Sequence, residues 1–339
     1  MSDESVVRAD ALHKSYDDTV ALDGVSLSIP RGEVFGLIGP NGAGKTTLVR
    51  ALTGTTAVEG EVRTFGVAPT EADRSRVGLL PQEFGPPDRL TPRELLEYYG
   101  GLYDEARDPE AVLADVGLTE EADEWYETLS GGQRRRACVG IALVNDPDLL
   151  FLDEPTTGID PAGRRDLWTL LEGLAAGGTT VVLTSHSMDE VERLADRVGL
   201  LRDGRLVAVG TPADLVAEHG GPSRLVVGVD AGADDPAATG DGESGAGALR
   251  GAGFDVEAGD GELVVEGVTP ADLAGAVAAL DDAGVGYESL TWTEPGLEDV
   301  YLRLTGERFE GAFTPGASAV DGEDGRASTA PEADAEVGR

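Results

Sequence analysis

The chain has 339 residues, 40% of them hydrophobic, with 64 acidic against 26 basic side chains and a formal net charge of −38. That apolar fraction suffices for one large domain or a medium one plus a small one, so wholesale disorder is excluded. The charge disfavours nucleic acid as a partner, because phosphate binding recruits Lys and Arg, and lysine occurs only at Lys14 and Lys45.

The lone cysteine, Cys138, can form no intrachain disulfide and fits a reducing cytosol. The N-terminal run MSDESVVRAD lacks the basic start and apolar stretch of a signal peptide. No segment approaches the ~20 apolar residues that span a bilayer.

In chain order, residues 5–35 carry short alternating apolar segments that predict a small antiparallel sheet leading into a strand. Val34–Ile38 is apolar on both faces, as a central strand should be, and a Gly-rich turn and a helix over Lys45–Leu52 follow. Residues 91–117 read as helix-rich, opened by Thr91-Pro92 with Glu94 in the first turn, and 130–145 as a further helix. Strand Leu149–Leu152, helix 161–175, strand Thr180–Thr184, helix Met188–Leu194 and strands near Val198–Leu201 and Arg205–Gly210 come next. Strands alternating with helices predict a parallel α/β sheet.

The composition changes near residue 220. Residues 230–247 are Gly, Ala and Asp without periodicity and read as a flexible loop. They interrupt a second, smaller α+β unit with strands LVVGV and ELVVEGV and helices near 270–284 and 296–305. The expected organisation is a domain over 1–220 with a helical region about 85–145, an accessory domain over 221–308, and a disordered tail over 309–339.

Two segments carry chemistry. Gly39-Pro40-Asn41-Gly42-Ala43-Gly44-Lys45-Thr46, followed by Thr47, matches the P-loop pattern between a strand and a helix. Its glycines let backbone N–H groups turn inward at phosphate oxygens, and the helix start adds positive potential. Lys45 is placed to reach the terminal phosphates and the Thr46 hydroxyl to bind Mg²⁺. At the end of an apolar strand, Asp153 and Glu154 present two carboxylates: Asp153 to hold Mg²⁺, Glu154 to polarise the attacking water.

Leu129-Ser130-Gly131-Gly132-Gln133, just before a helix and 20 positions ahead of Asp153 (153 − 133), resembles the signature motif of the ABC ATPase family. By itself such a turn also reads as a helix cap. Physically it offers a second anion cradle at a helix N-terminus. The resemblance implies an α/β P-loop fold of the ABC type, with a parallel core, an N-terminal antiparallel β-subdomain and a helical subdomain. It also implies a head-to-tail homodimer in which each signature caps the other subunit's ATP. Further markers match in order: Tyr16 as the adenine-stacking aromatic, Gln82 as the residue touching Mg²⁺ and water, Asp160 as a dimer contact, and His186 as the histidine at the γ-phosphate. The segment Thr293–Tyr301 resembles the C-terminal extension of ATPases serving ABC-2 type exporters, including the daunorubicin-resistance type. The expectation is an ATPase on the cytoplasmic face of the membrane, driving a separate permease. The rival reading is a soluble ABC ATPase working on ribosomes or DNA, whose usual doubled domains, coiled-coil insertions or basic surfaces are not visible. A regulatory GTPase would need a guanine-reading Lys, which lysine at 14 and 45 alone cannot supply.

The acidic residues are spread among apolar segments and so predict an acidic surface on a folded protein. Such a surface repels itself in dilute salt and is screened within a few Å in molar salt. The pattern resembles proteins of salt-loving organisms.

Overall fold

The computed structural model describes residues 5–229, 240–259 and 261–307. Strands β1 (Ser5–Tyr16) and β2 (Thr19–Pro30) form a long hairpin. Strand β4 (Glu59–Thr64) joins it to complete an antiparallel sheet in the order β2-β1-β4.

The central sheet has the order β5-β6-β7-β3-β8-β9, built from β5 (Val77–Leu80), β6 (Leu149–Asp153), β7 (Thr180–Ser185), β3 (Val34–Ile38), β8 (Arg197–Arg202) and β9 (Arg205–Gly210). The first five are parallel, and β9 returns antiparallel from β8. Every residue of β3, β6 and β7 is buried, the signature of a sheet covered on both faces. Leu150 and Leu152 enter one core with the helices; Leu149 and Phe151 enter the other, against the antiparallel sheet and helix α1 (Lys45–Leu52). The register pairs Ile38 with Ser185 and Asp153 with Thr184, so the C-terminal ends of β3, β6 and β7 lie side by side. In open parallel sheets that edge is where ligands sit.

Helices α2 (Pro92–Gly100), α3 (Pro109–Asp115) and α4 (Gly131–Leu143) pack on the first core. Thr91 and Glu94 form the capping box that starts α2, behind Pro92. Helices α5 (Pro161–Ala176) and α6 (Met188–Leu194) complete the expected alternation, and α7 (Pro212–His219) adds a helix outside that expectation.

The C-terminal part differs from expectation in three ways. Its sheet has four antiparallel strands in the order β11-β12-β10-β13, where only β10 (Arg224–Val229) and β12 (Glu262–Glu266) are legible; β11 (Asp255–Ala258) and β13 (Tyr287–Thr293) add to them. The segment 240–247, expected as flexible loop, opens helix α8 (Gly240–Gly251), while 230–239 lies outside the described residues, as does the expected tail 309–339. Packing overrides the glycine content: Ala246 and Leu249 sit in a third core with α9 (Leu273–Asp282) and the sheet. Finally, α10 (Leu297–Thr305) packs with the first core, not the third, through Leu297, Val300 and Tyr301. Its first N–H is capped by Glu192 of α6 at 2.5 Å, and Arg202 of β8 reaches Glu307 at 2.7 Å.

Candidate active site

The loop after β3 is shaped by close approach. Gly44 has φ 107°, and a Cβ there would lie 2.3 Å from the Ala21 carbonyl oxygen; one on Gly39 would lie 2.3 Å from that of Leu201. No larger residue fits either place. The loop opens α1, whose first turn carries no acidic side chain. Asn41 and Gly42 are exposed while Ala43 is buried, anchoring the loop from beneath.

Lys45 is 6% exposed. Its Nζ donates to the carbonyl oxygens of Gly39 at 2.7 Å and Pro40 at 3.1 Å, folding the side chain back under the loop. Burial pulls its pKa down, while the nearby Glu154 and Asp153 carboxylates push the other way. Nζ stands 3.9 Å from Glu154 Oε1.

Glu154 is the point of convergence. Its Oε2 accepts from Gln82 Nε2 at 3.0 Å and Thr157 Oγ1 at 3.2 Å, and lies 3.5 Å from His186 Nδ1. Residues from β3's loop, the segment after β5, the end of β6 and the end of β7 therefore meet at one carboxyl. The Glu154 backbone is left-handed, φ 49°, a cost of order 1–3 kcal/mol that persists only where surroundings impose it. Here Glu154 N donates to both the carbonyl and the hydroxyl of Thr184, and Thr184 Oγ1 donates on to Asp153 Oδ1 at 2.5 Å.

The carbonyl side of the same turn is held by Arg135 of α4. Its Nη2 donates to Asp153 O at 2.8 Å and Glu154 O at 2.9 Å, and its Nε to Pro155 O at 2.9 Å. Burial lowers the guanidinium's pKa. Neither Arg135 nor Thr184 is marked by any sequence motif.

The signature turn is separate from this cluster. Ser130 is the N-cap of α4: Gln133 N donates to its hydroxyl at 3.2 Å, and Ser130 N to Gln133 Oε1 at 2.8 Å. Gln133 Nε2 continues to Glu121 at 2.8 Å. Gly131 and Gly132 occupy the first helical positions against Gly158–Asp160; a Cβ on Gly132 would meet Asp160 Oδ1 at 3.4 Å. Asp160 itself caps α5 by accepting from Gly163 N at 3.1 Å. Ser130 and Asp160 thus serve as helix caps here, and their hydrogen bonds do not reach Lys45 or Glu154.

Tyr16 lies beside α1, with its hydroxyl 3.5 Å from Thr56 Oγ1 and Lys14 Nζ 4.9 Å above its ring. The Thr56 hydroxyl, helped by Thr47, Lys14 and Arg50, lowers the phenol's pKa against the opposing effect of burial. Thr46 and Thr47 follow Lys45 on α1, half-buried.

Among the described residues, no group of three or more His, Cys, Asp or Glu could hold a metal ion, and no helix is long and apolar enough to cross a membrane. The oxygen donors of Thr46, Asp153 and Gln82 do suit a hard cation such as Mg²⁺, which is held by one or two carboxylates plus substrate phosphates.

Comparison with known proteins identifies the family. The family described as ABC transporter matches residues 22–157. The daunorubicin resistance ATP-binding protein DrrA3 of Streptomyces coeruleorubidus is 38% identical over 316 residues, covering 90% of this chain and 97% of that protein. The Nod factor export ATP-binding protein I of Paraburkholderia xenovorans is 41% identical over 225 residues, 64% of this chain and 74% of the relative. A dimeric ATP-binding cassette solved in a post-hydrolysis state with ADP and Pi superposes with TM-score 0.55 at 25% identity, over 60% of this chain and 98% of that one. The chain belongs to the ATP-binding, ATP-hydrolysing subunits of ABC transporters and resembles the daunorubicin-resistance type among them.

Proposed function

We propose that two copies of this chain close head to tail over two ATP molecules and drive export through a separate membrane permease from its cytoplasmic face. The observation that carries the reading is the convergence of Lys45, Gln82 and His186 on the Glu154 carboxyl. Glu154 is the base for the attacking water. Lys45, with the loop Gly39–Thr47, cradles the phosphates, Tyr16 stacks on the base, and His186 touches the terminal phosphate. Thr46, Asp153 and Gln82 would hold Mg²⁺, which neutralises charge on the phosphate oxygens. Ser130, Gly131, Gly132 and Gln133 of one copy cap the nucleotide of the other, with Asp160 at the contact. Export is supported by the likeness to a Nod factor export protein and to drug-resistance proteins. We further assign residues 1–220 to the ATPase domain and 221–308 to an accessory domain.

A shared site has a decisive test. Lys45→Ala and Ser130→Arg chains should each be inactive alone. Mixed, they form a heterodimer in which one intact loop faces one intact signature, so phosphate release should return. A mixture as dead as its components would overturn the head-to-tail site.

We also propose salt adaptation. Bringing two chains of −38 together is opposed at low ionic strength, where the Debye length is about 10 Å, and relieved near 1 M, where it is about 3 Å. ATP-dependent dimerisation and turnover should both rise between 0.1 M and molar salt. Equal activity at both ends would remove this reading.

A further inference from the structure

Glu190 is a fully buried glutamate that the roles above leave unused. A carboxyl this deep is costly unless hydrogen bonds replace its water. Three do. Oε2 accepts from Ser185 Oγ at 2.5 Å and Thr156 Oγ1 at 3.1 Å, and Oε1 from Trp168 Nε1 at 3.1 Å. The donors come from three different segments. Ser185 ends β7 immediately before His186; Thr156 sits two residues beyond Glu154; Trp168 lies on α5, behind the Asp160 cap. Ser185 Oγ also accepts from Ser187 N at 2.9 Å, so one hydroxyl bridges across His186 to the residue on its far side.

We propose that Glu190 is a positioning residue for hydrolysis, fixing the strand end that carries His186 against the loop that carries Glu154. It touches no reacting atom. It acts through the 3.5 Å approach of His186 Nδ1 to Glu154 Oε2. The inference rests on the roles proposed above for Glu154 and His186. A group whose only duty was to fill the core would lend stability; a positioning group makes its effect conditional on the residue it positions.

The experiment measures steady-state ATP hydrolysis, ATP affinity and thermal unfolding of the full chain. The variants are Glu190→Gln, Trp168→Phe, His186→Ala and the double variant Glu190→Gln/His186→Ala. Glutamine keeps the volume and can still accept from Trp168, but it turns a donor toward Ser185 and Thr156. Glu190→Gln should lower kcat about ten-fold while ATP affinity stays within about two-fold. Trp168→Phe removes a single donor at a half-buried site and should lower kcat about three-fold with the fold intact, so the proposal stays testable if Glu190→Gln unfolds. In the double variant the losses should not multiply: its rate should match His186→Ala within about two-fold. Multiplying losses would reduce Glu190 to a core residue and overturn the proposal. A slow His186→Ala beside normal Glu190→Gln and Trp168→Phe would overturn the proposal while leaving the reading of the site standing. A His186→Ala enzyme with undiminished turnover would remove His186 from the site and Glu190's role with it.

Discussion

Replacing Glu154 by Gln should abolish turnover while sparing ATP binding, with a loss in kcat of at least about 100-fold. The substitution changes little else. Glutamine has the volume of glutamate, and its carbonyl can take over the hydrogen bonds from Gln82 Nε2 and Thr157 Oγ1. The backbone turn is fixed by Thr184 and Arg135, neither of which contacts the substituted atoms. What disappears is the charge beside Lys45 and the capacity to accept a proton from water. Lys45 keeps both carbonyl partners, so the phosphate cradle should stay loaded. The ATP-bound dimer should therefore accumulate and appear as a doubled mass by size exclusion in high salt. Near-normal phosphate release from Glu154→Gln would take the base role away from this residue.

Arg135→Met is expected to cost stability as well as turnover. One guanidinium satisfies three successive carbonyls, those of Asp153, Glu154 and Pro155. Methionine fills the space but donates nothing, leaving these carbonyls short of partners. Hydrogen bonds to charged groups are worth about 1.5–3 kcal/mol each and are not additive, so a loss of about 2–4 kcal/mol is reasonable. For a domain of this size that lowers the melting midpoint by roughly 5–10 °C. Hydrolysis should fall as well, because the Glu154 turn loses its carbonyl-side anchor. Arg135→Lys should recover only part of the loss, since an ammonium lacks the planar fork that spans neighbouring carbonyls. A midpoint unchanged in Arg135→Met would mean that water replaces the clamp at no cost.

These two residues also mark the boundary of what a reader can extract from the chain. Glu154 is legible because its warrant is local: an apolar strand, then two acids, after a loop that ends in Gly-Lys-Thr. Five strands of the central sheet are legible for the same reason, each a short apolar run between turn residues, whereas the edge strand β5, only four residues long, is not. Arg135 is not, because its three acceptors lie 18 to 20 residues away and are backbone atoms, which carry no residue signal. Glu190 is hidden differently: one glutamate among 64 acidic residues looks like another solvated charge until its burial is seen. Helix α8 is masked by composition, because Gly, Ala and Asp describe a loop unless Ala246 and Leu249 have a core to enter. For α10 the apolar positions of LEDVYLRLT announce a buried face but not which core receives it.

That last point has a consequence for how the molecule is made. Leu297, Val300 and Tyr301 finish a hydrophobic cluster begun by Val34 and Ile38. Synthesis proceeds from the N-terminus, so the ribosome must translate past residue 305 before that cluster can be sealed. Until then the nascent ATPase carries an open apolar seam on α7, the helix against which α10 packs. Helix α10 is the stitch that closes this core, so synthesis as far as residue 305, not the appearance of the nucleotide motifs, sets the moment at which the cluster can first be sealed.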